Sequence, residues 1–182
     1  MGYGVMVDLE TLSLDYEAML LSIGAVSFPL PHPPVFENEA ISLFYRKIKL
    51  EGQQAIGREF NPETLRWWFT QPSHVQKEAF DANGLDLAIA LSHFMAFLPR
   101  VMQKQPDEIW SNGADFDIPI LQHYFRRNGY QIPWSYKSVR CFRTLKELHP
   151  GHEPEGFDKN KHNALEDALH QTKWLHKIMR AF

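Results

Sequence analysis

Gly2-Tyr3-Gly4-Val5-Met6-Val7-Asp8-Leu9-Glu10-Thr11 is a short apolar run that ends in two acids. Gly2 to Val7 has the length and character of a central β-strand. Residues two apart on a strand project from one face, so Asp8 and Glu10 point the same way. Neighbouring carboxylates at the end of an apolar strand repel one another and lose hydration unless a cation lies between them. Their hard oxygens suit Mg²⁺ or Mn²⁺. On this triplet alone, a Glu10 simply solvated at a strand end is an equal alternative.

Working outward, Met19 to Phe28 reads as a second strand, with Gly24 marking a bulge or close packing. The four prolines within Pro29–Pro34 make a turn. Ile41 to Leu50 alternates as a third strand, and Arg46, Lys47 and Lys49 place it toward the sheet edge. Asn61-Pro62-Glu63 is a helix start, with Asn as cap and Pro in the first turn, leading through Thr64 to Phe69. A second short helix is expected over Ser73–Phe80. Leu85 to Met102 has helical apolar spacing, interrupted at Pro99. Glu108–Ser111 reads as a strand, and Asp117–Arg127 as a helix ended by Asn128-Gly129. Tyr136–Val139 reads as a fifth strand, Phe142–Leu148 as a short helix and Asn163–Arg180 as the last helix. This is a mixed α/β pattern in one domain, residues 1–182.

At 182 residues the chain can bury one substantial core. A formal net charge of −3 argues against a protein that coats nucleic acid through bulk electrostatics, but permits one that grips a strand end. The single cysteine, Cys141, can form neither an intrachain disulfide nor a thiolate zinc site, and is expected to be small and buried. No apolar run approaches the ~20 residues that span a bilayer, so no membrane partner is expected and the expected compartment is the cytoplasm.

Two further constellations carry chemistry. Asn112-Gly113-Ala114-Asp115-Phe116-Asp117 follows a strand and opens a helix, where the dipole favours an acid. Asp115 and Asp117 compete for that role, Asp115 could equally be a plain N-cap, and the motif alone reads as capping more often than as catalysis. His162-Asn163-Ala164-Leu165-Glu166-Asp167 opens the last helix, putting Asp167 about 7.5 Å beyond His162 along the axis. A histidine titrating near ~6.5 can take a proton from a water at neutral pH. A solvated His and Asp would be the usual reading of that pair in isolation.

Taken together, the three motifs resemble the DEDDh exonuclease superfamily, which includes ribonuclease T, oligoribonuclease and the proofreading subunits of DNA polymerases. Asp8-Leu9-Glu10-Thr11 is similar to its first motif, Asn112 to Asp117 to its second and His162 to Asp167 to its third. Because the ligand follows Phe in that pattern, Asp117 is chosen over Asp115. At finer grain, the DLETL, LSIGAVSF and TLRWWFTQ segments resemble the branch holding exodeoxyribonuclease VIII-type enzymes and small mycobacterial-type exoribonucleases.

The resemblance implies a ribonuclease H-like fold, a five-stranded mixed sheet in order 3-2-1-4-5 flanked by helices. It implies a 3′→5′ exonuclease that releases 5′-mononucleotides, with two Mg²⁺ or Mn²⁺ ions. Asp8 would bridge both ions, Glu10 and Asp167 would complete the site of the attacking water, Asp117 would support the second ion, and His162 would be general base. The alternative is a non-catalytic nucleic-acid-binding module on the same fold. Expected partners are single-stranded nucleic acid or a 3′ overhang, with DNA or RNA, and a homodimer or monomer, left open. Thr11, Leu12, Trp68 and Asn112 are substrate-binding candidates. Adjacent on one helix, Trp67 and Trp68 face different sides, so one packs inward and the other can stack on a base. Lys159 and Lys161 are either phosphate contacts or part of a solvated loop. His123, His149, His152, His170 and His176 lack ligand spacing and are expected at the surface.

Overall fold

The computed structural model describes residues 2–32, 41–100, 105–157 and 162–181, without the side chains of 99 and 100. A single five-stranded sheet organises them: β1 (Gly2–Thr11), β2 (Leu20–Leu30), β3 (Ser42–Lys47), β4 (Glu108–Ser111) and β5 (Val139–Cys141). Their order is β3-β2-β1-β4-β5. β1 is antiparallel to β2, β2 to β3, while β1–β4 and β4–β5 are parallel. The acid-tipped strand is therefore central, and the strand with Arg46 and Lys47 lies at an edge.

Alternation along β1 sends its side chains to two different cores. Val5, Val7 and Leu9 join the cluster covered by α3 (Leu87–Arg100) and α4 (Asp117–Arg127), with Leu91, Phe94, Leu121 and Phe125. Met6, on the other face, packs with Phe142 of α5 (Phe142–Leu148) and with Ala168, Leu175 and Ile178 of α6 (Ala164–Met179). Asp8 and Glu10 continue the Met6 face, so the two acids look toward α6. A third, smaller cluster joins Leu12, Met19 and Leu21 to Trp68 of α1 (Pro62–Thr70) and Val75 of α2 (Ser73–Ala79).

Local chemistry explains most of the boundaries. The Asn61 side chain accepts hydrogen bonds from the Glu63 and Thr64 backbone amides at the start of α1, and Asn163 does the same for Leu165 and Glu166 on α6. Four expectations shift. The backbone of α3 stays helical through Pro99 to Arg100, and residues 101–104 lie outside the described set. Tyr136–Ser138 forms a 3₁₀ turn capped by Ser135, and the fifth strand follows it at Val139–Cys141. The third strand is shorter than Ile41–Leu50, because pairing with β2 ends at Lys47. Cys141 is half-buried at the cap position of α5, not deep in the core. Lys159 and Lys161 also lie outside the described residues. Among those described, no helix is long and apolar enough to cross a membrane.

Candidate active site

Gly24 lies directly opposite Asp8 in the β1–β2 register. A Cβ at Gly24 would come within 2.1 Å of the Ala164 backbone. The glycine thus seats the first turn of α6 on the sheet, which brings Asp167, one turn further along, to the two acids of β1. Oxygens of Asp8, Glu10 and Asp167 all fall within 4.8 Å of one another.

Burial, first, and then the surrounding acids Asp117, Glu10 and Asp167 push the Asp8 carboxyl well above the ordinary range. Glu10 is raised in the same way, by burial and then by Asp167 and Asp117. Asp167, raised chiefly by burial to about 6, accepts a hydrogen bond from the Asn163 backbone amide at 3.2 Å. Three converging acids, with Asp117 adding to the field, are poorly stable as a bare cluster at neutral pH, and a divalent cation removes both the repulsion and the desolvation penalty. The donor set, all carboxylate oxygen, fits Mg²⁺ or Mn²⁺.

Asp117 opens α4 and is 3 % exposed. Its Oδ1 accepts the Leu9 backbone amide at 3.1 Å. Burial raises it to about 7, against backbone hydrogen bonds from Leu9, Asp117 itself and Gly113 that favour the ion. It borders the three-carboxylate cluster without sharing the 4.8 Å grouping. Asp115 is a surface residue beside Arg143, with its side chain 80 % exposed. Burial thus separates the two acids that the spacing left in competition.

His162 precedes α6 by two residues, in a left-handed conformation (φ 41°), with Asn163 as the cap between them. The half-buried ring is held below its ordinary pKa by desolvation, which keeps it neutral and able to accept a proton near pH 7. It sits edge-on to Trp67, with centroids 4.9 Å apart, and to Trp68 at 6.1 Å.

The four substrate-binding candidates take different places. Trp68 is 1 % exposed and donates its indole N–H to the Thr11 carbonyl at 2.9 Å, so it is a core residue. Trp67 is the exposed partner, at 43 %, and lines a cavity of about 430 Å³ with Glu10, Thr11, Leu14 and Phe116, a wall to which the buried Trp68 also contributes. Leu12 is also buried, just past the end of β1, beside Met19 and Trp68. Thr11 lines the cavity, but its hydroxyl donates to the Ser13 carbonyl. Asn112 lines a second cavity of about 320 Å³ with His162, Asp167 and Gln171, and its Oδ1 is buried without a hydrogen-bond partner among the described residues.

Several contributors had no motif to announce them. The Gln171 amide reaches Asp8. The Asn163 side-chain amide donates to the Tyr45 hydroxyl, which donates to Glu78, and Glu78 pairs with Lys47, tying α6 to β3 and α2. The helical position of Gln171, four residues after Asp167, was the available signal. His170 and His176, expected at the surface, are buried. His170 stacks on Phe157 at 3.8 Å and His176 packs edge-on against Phe28 of β2, because the inward face of α6 is wider than its apolar stripe.

A sheet of this order, with acids converging from its central strand and two helices, fits the DEDDh-type exonuclease superfamily. The chain belongs to the family described as the 3′–5′ exoribonuclease Rv2179c-like domain, whose family model matches residues 4–179. Solved structures agree on the fold. Exonuclease I of E. coli in complex with a dT13 oligonucleotide aligns at TM-score 0.64 and 15 % identity, over 97 % of this chain and 40 % of its own. Cell-death related nuclease 4 aligns at 0.63 and 14 %, over 100 % of this chain and 64 % of its own. A zinc-bound form of the E. coli exonuclease I–single-stranded DNA complex aligns at 0.60 and 16 %, over 94 % and 39 %. At these identities the likeness establishes the ribonuclease H-like fold, and the chain spans about 40 % of the length of exonuclease I. No curated protein sequence matches it significantly.

Proposed function

We propose that the chain removes 5′-mononucleotides from the 3′ end of single-stranded nucleic acid, with RNA as the first substrate to test. The convergence of Asp8, Glu10 and Asp167 within 4.8 Å, beside a neutral histidine, carries this reading. The family description favours RNA, and the oligonucleotide complex of exonuclease I favours a single strand. The affinity to exodeoxyribonuclease VIII-type enzymes is part of the same proposal and rests on the sequence resemblance alone.

Asp8, Glu10 and Asp167 would hold two divalent cations, Mg²⁺ or Mn²⁺, with Asp117 at their border. When bound, such ions supply Lewis-acid polarisation of the phosphate and charge neutralisation in the transition state. The zinc-bound relative supports a divalent ion in this fold. His162 accepts the proton of the attacking water, a role that requires the neutral ring that its desolvation maintains. Trp67 and the cavity beside Glu10 take the terminal nucleoside, the indole offering its exposed face to the base. Residues 1–182 are proposed to act as one catalytic unit in the cytoplasm, with a homodimer among the arrangements that light scattering would resolve.

The test is digestion of matched RNA and DNA strands, labelled at either end, with Mg²⁺ or Mn²⁺. Mononucleotides should accumulate while the 5′ label shortens stepwise. Intact strands with wild type, or undiminished cleavage by Asp8→Ala, would sink the proposal. His162→Ala should lower turnover about 10²–10⁴-fold while keeping metal affinity. Strong binding without hydrolysis across several divalent metals would instead favour the non-catalytic module.

A further inference from the structure

Gln171 stands on α6 one turn beyond Asp167, on the same helical face, and is 8 % exposed. Its Nε2 donates to Asp8 Oδ1 at 2.8 Å. We infer that Gln171 is a positioning residue for the metal centre, holding the Asp8 carboxylate in the plane that presents its oxygens to Glu10 and Asp167. The inference rests on the metal-dependent reading above.

The terminal torsion of an aspartate is broad, so an unattached carboxylate rotates freely between orientations. One fixed hydrogen bond to Oδ1 fixes the carboxylate plane, and with it the place of Oδ2. The orientation of the amide suits the metal-bound state: with a cation beside it Asp8 is ionised and only accepts, so the amide turns its N–H₂ toward it and its oxygen away. That oxygen, Oε1, is buried and has no hydrogen-bond partner among the described residues. The bond to Asp8 is thus the polar anchor of an otherwise poorly satisfied side chain. Methionine, of similar length, would occupy the place without an unmatched carbonyl, so a glutamine here serves the carboxylate rather than the stability of α6.

Gln171 is also the hydrogen bond that opposes the upward pressure on Asp8 from burial and its acidic neighbours. Groups that orient a metal ligand in this way affect affinity before they affect chemistry.

Titration of metal-free wild type and Gln171→Met with Mn²⁺, without nucleic acid, tests the assignment. The variant should bind Mn²⁺ about 10–100-fold more weakly. Its metal-free Tm should equal or exceed that of wild type, and raising Mn²⁺ should recover most of kcat. Binding within twofold of wild type overturns the inference alone, whereas failure of wild type to bind Mn²⁺ removes the proposed function as well. If Gln171→Met does not fold, NMR of the wild-type Gln171 side-chain amide decides. Slow exchange and a shift on Mg²⁺ addition support the role; an amide unchanged through Mg²⁺ saturation overturns it.

Discussion

The exposed indole of Trp67 meets the ring of His162 edge-on, with centroids 4.9 Å apart and planes at 78°. One side chain of the cavity wall therefore touches the base of the proposed reaction. Its neighbour Trp68 is also within 6.1 Å of the histidine, but from inside the core.

Substituting the two tryptophans should therefore separate binding from stability. Trp67→Ala should raise KM roughly 5–150-fold, the equivalent of losing ~1–3 kcal/mol of base stacking, with little change in Tm. Trp68→Ala should cost about 3–5 kcal/mol of stability, through lost packing and the broken bond to Thr11. Steady-state kinetics and thermal melts check both; equal effects on KM would refute the division.

The two acids of the second motif should behave oppositely. Asp115→Asn, at an exposed surface position, should leave activity within about twofold of wild type. Asp117→Asn should lose activity by at least about 10–100-fold, as expected for a group that supports a metal centre. Comparable losses in both variants would overturn the assignment.

Asp117 also predicts a pH dependence for the metal-free protein. Its carboxyl is raised to about 7 when folded, above the value near ~4 of an unfolded chain. Between those values the folded state binds more protons, so stability increases as pH falls through the folded pKa. In EDTA, Asp117→Asn should therefore be more stable than wild type at pH 8, by on the order of a few kcal/mol, with the advantage shrinking toward pH 5. Adding Mn²⁺ should stabilise wild type strongly at pH 8 and weakly at pH 5.5, since the ion must displace protons. The wild-type minus variant difference is the measurement, because it cancels the opposing acid sensitivity of buried His176, whose pKa is lowered chiefly by burial.

Gly24→Ala should damage fold and site together. The new methyl would press on the Ala164 backbone, which has no flexible end to yield, and should cost at least ~1–3 kcal/mol. Mn²⁺ affinity should fall with Tm, because displacement of the first turn of α6 moves Asp167. Unchanged affinity in a folded variant would show that the helix is not positioned there.

Elements whose signals are local were legible in the sequence. The cap at Asn61, the start of α4 at Asp117 and the common face of Asp8 and Glu10 depend on neighbours within a few residues. What could not be read depends on approach between distant segments. The inward turn of Trp68 is decided by Thr11, which lies 57 residues away. Gln171 meets Asp8 across 163 residues, and Gly24 reveals its purpose only against Ala164. His170 and His176 were misread because a helix between a sheet and a loop buries more than its apolar residues mark.

The parallel ladder between β1 and β4 pairs only Gly4 to Met6 with Glu108 to Trp110. Three residues further on, the Leu9 amide is taken by a side chain, Asp117, instead of by backbone. The seam between the halves of the sheet thus unzips at a defined rung, and a carboxylate pins the fork open. Engineering that alters which strand is cut can accordingly remodel the walls around Trp67 and Asn112. The fork itself is to be kept, since Asp117 both accepts the Leu9 amide and adds its charge to the field at Asp8.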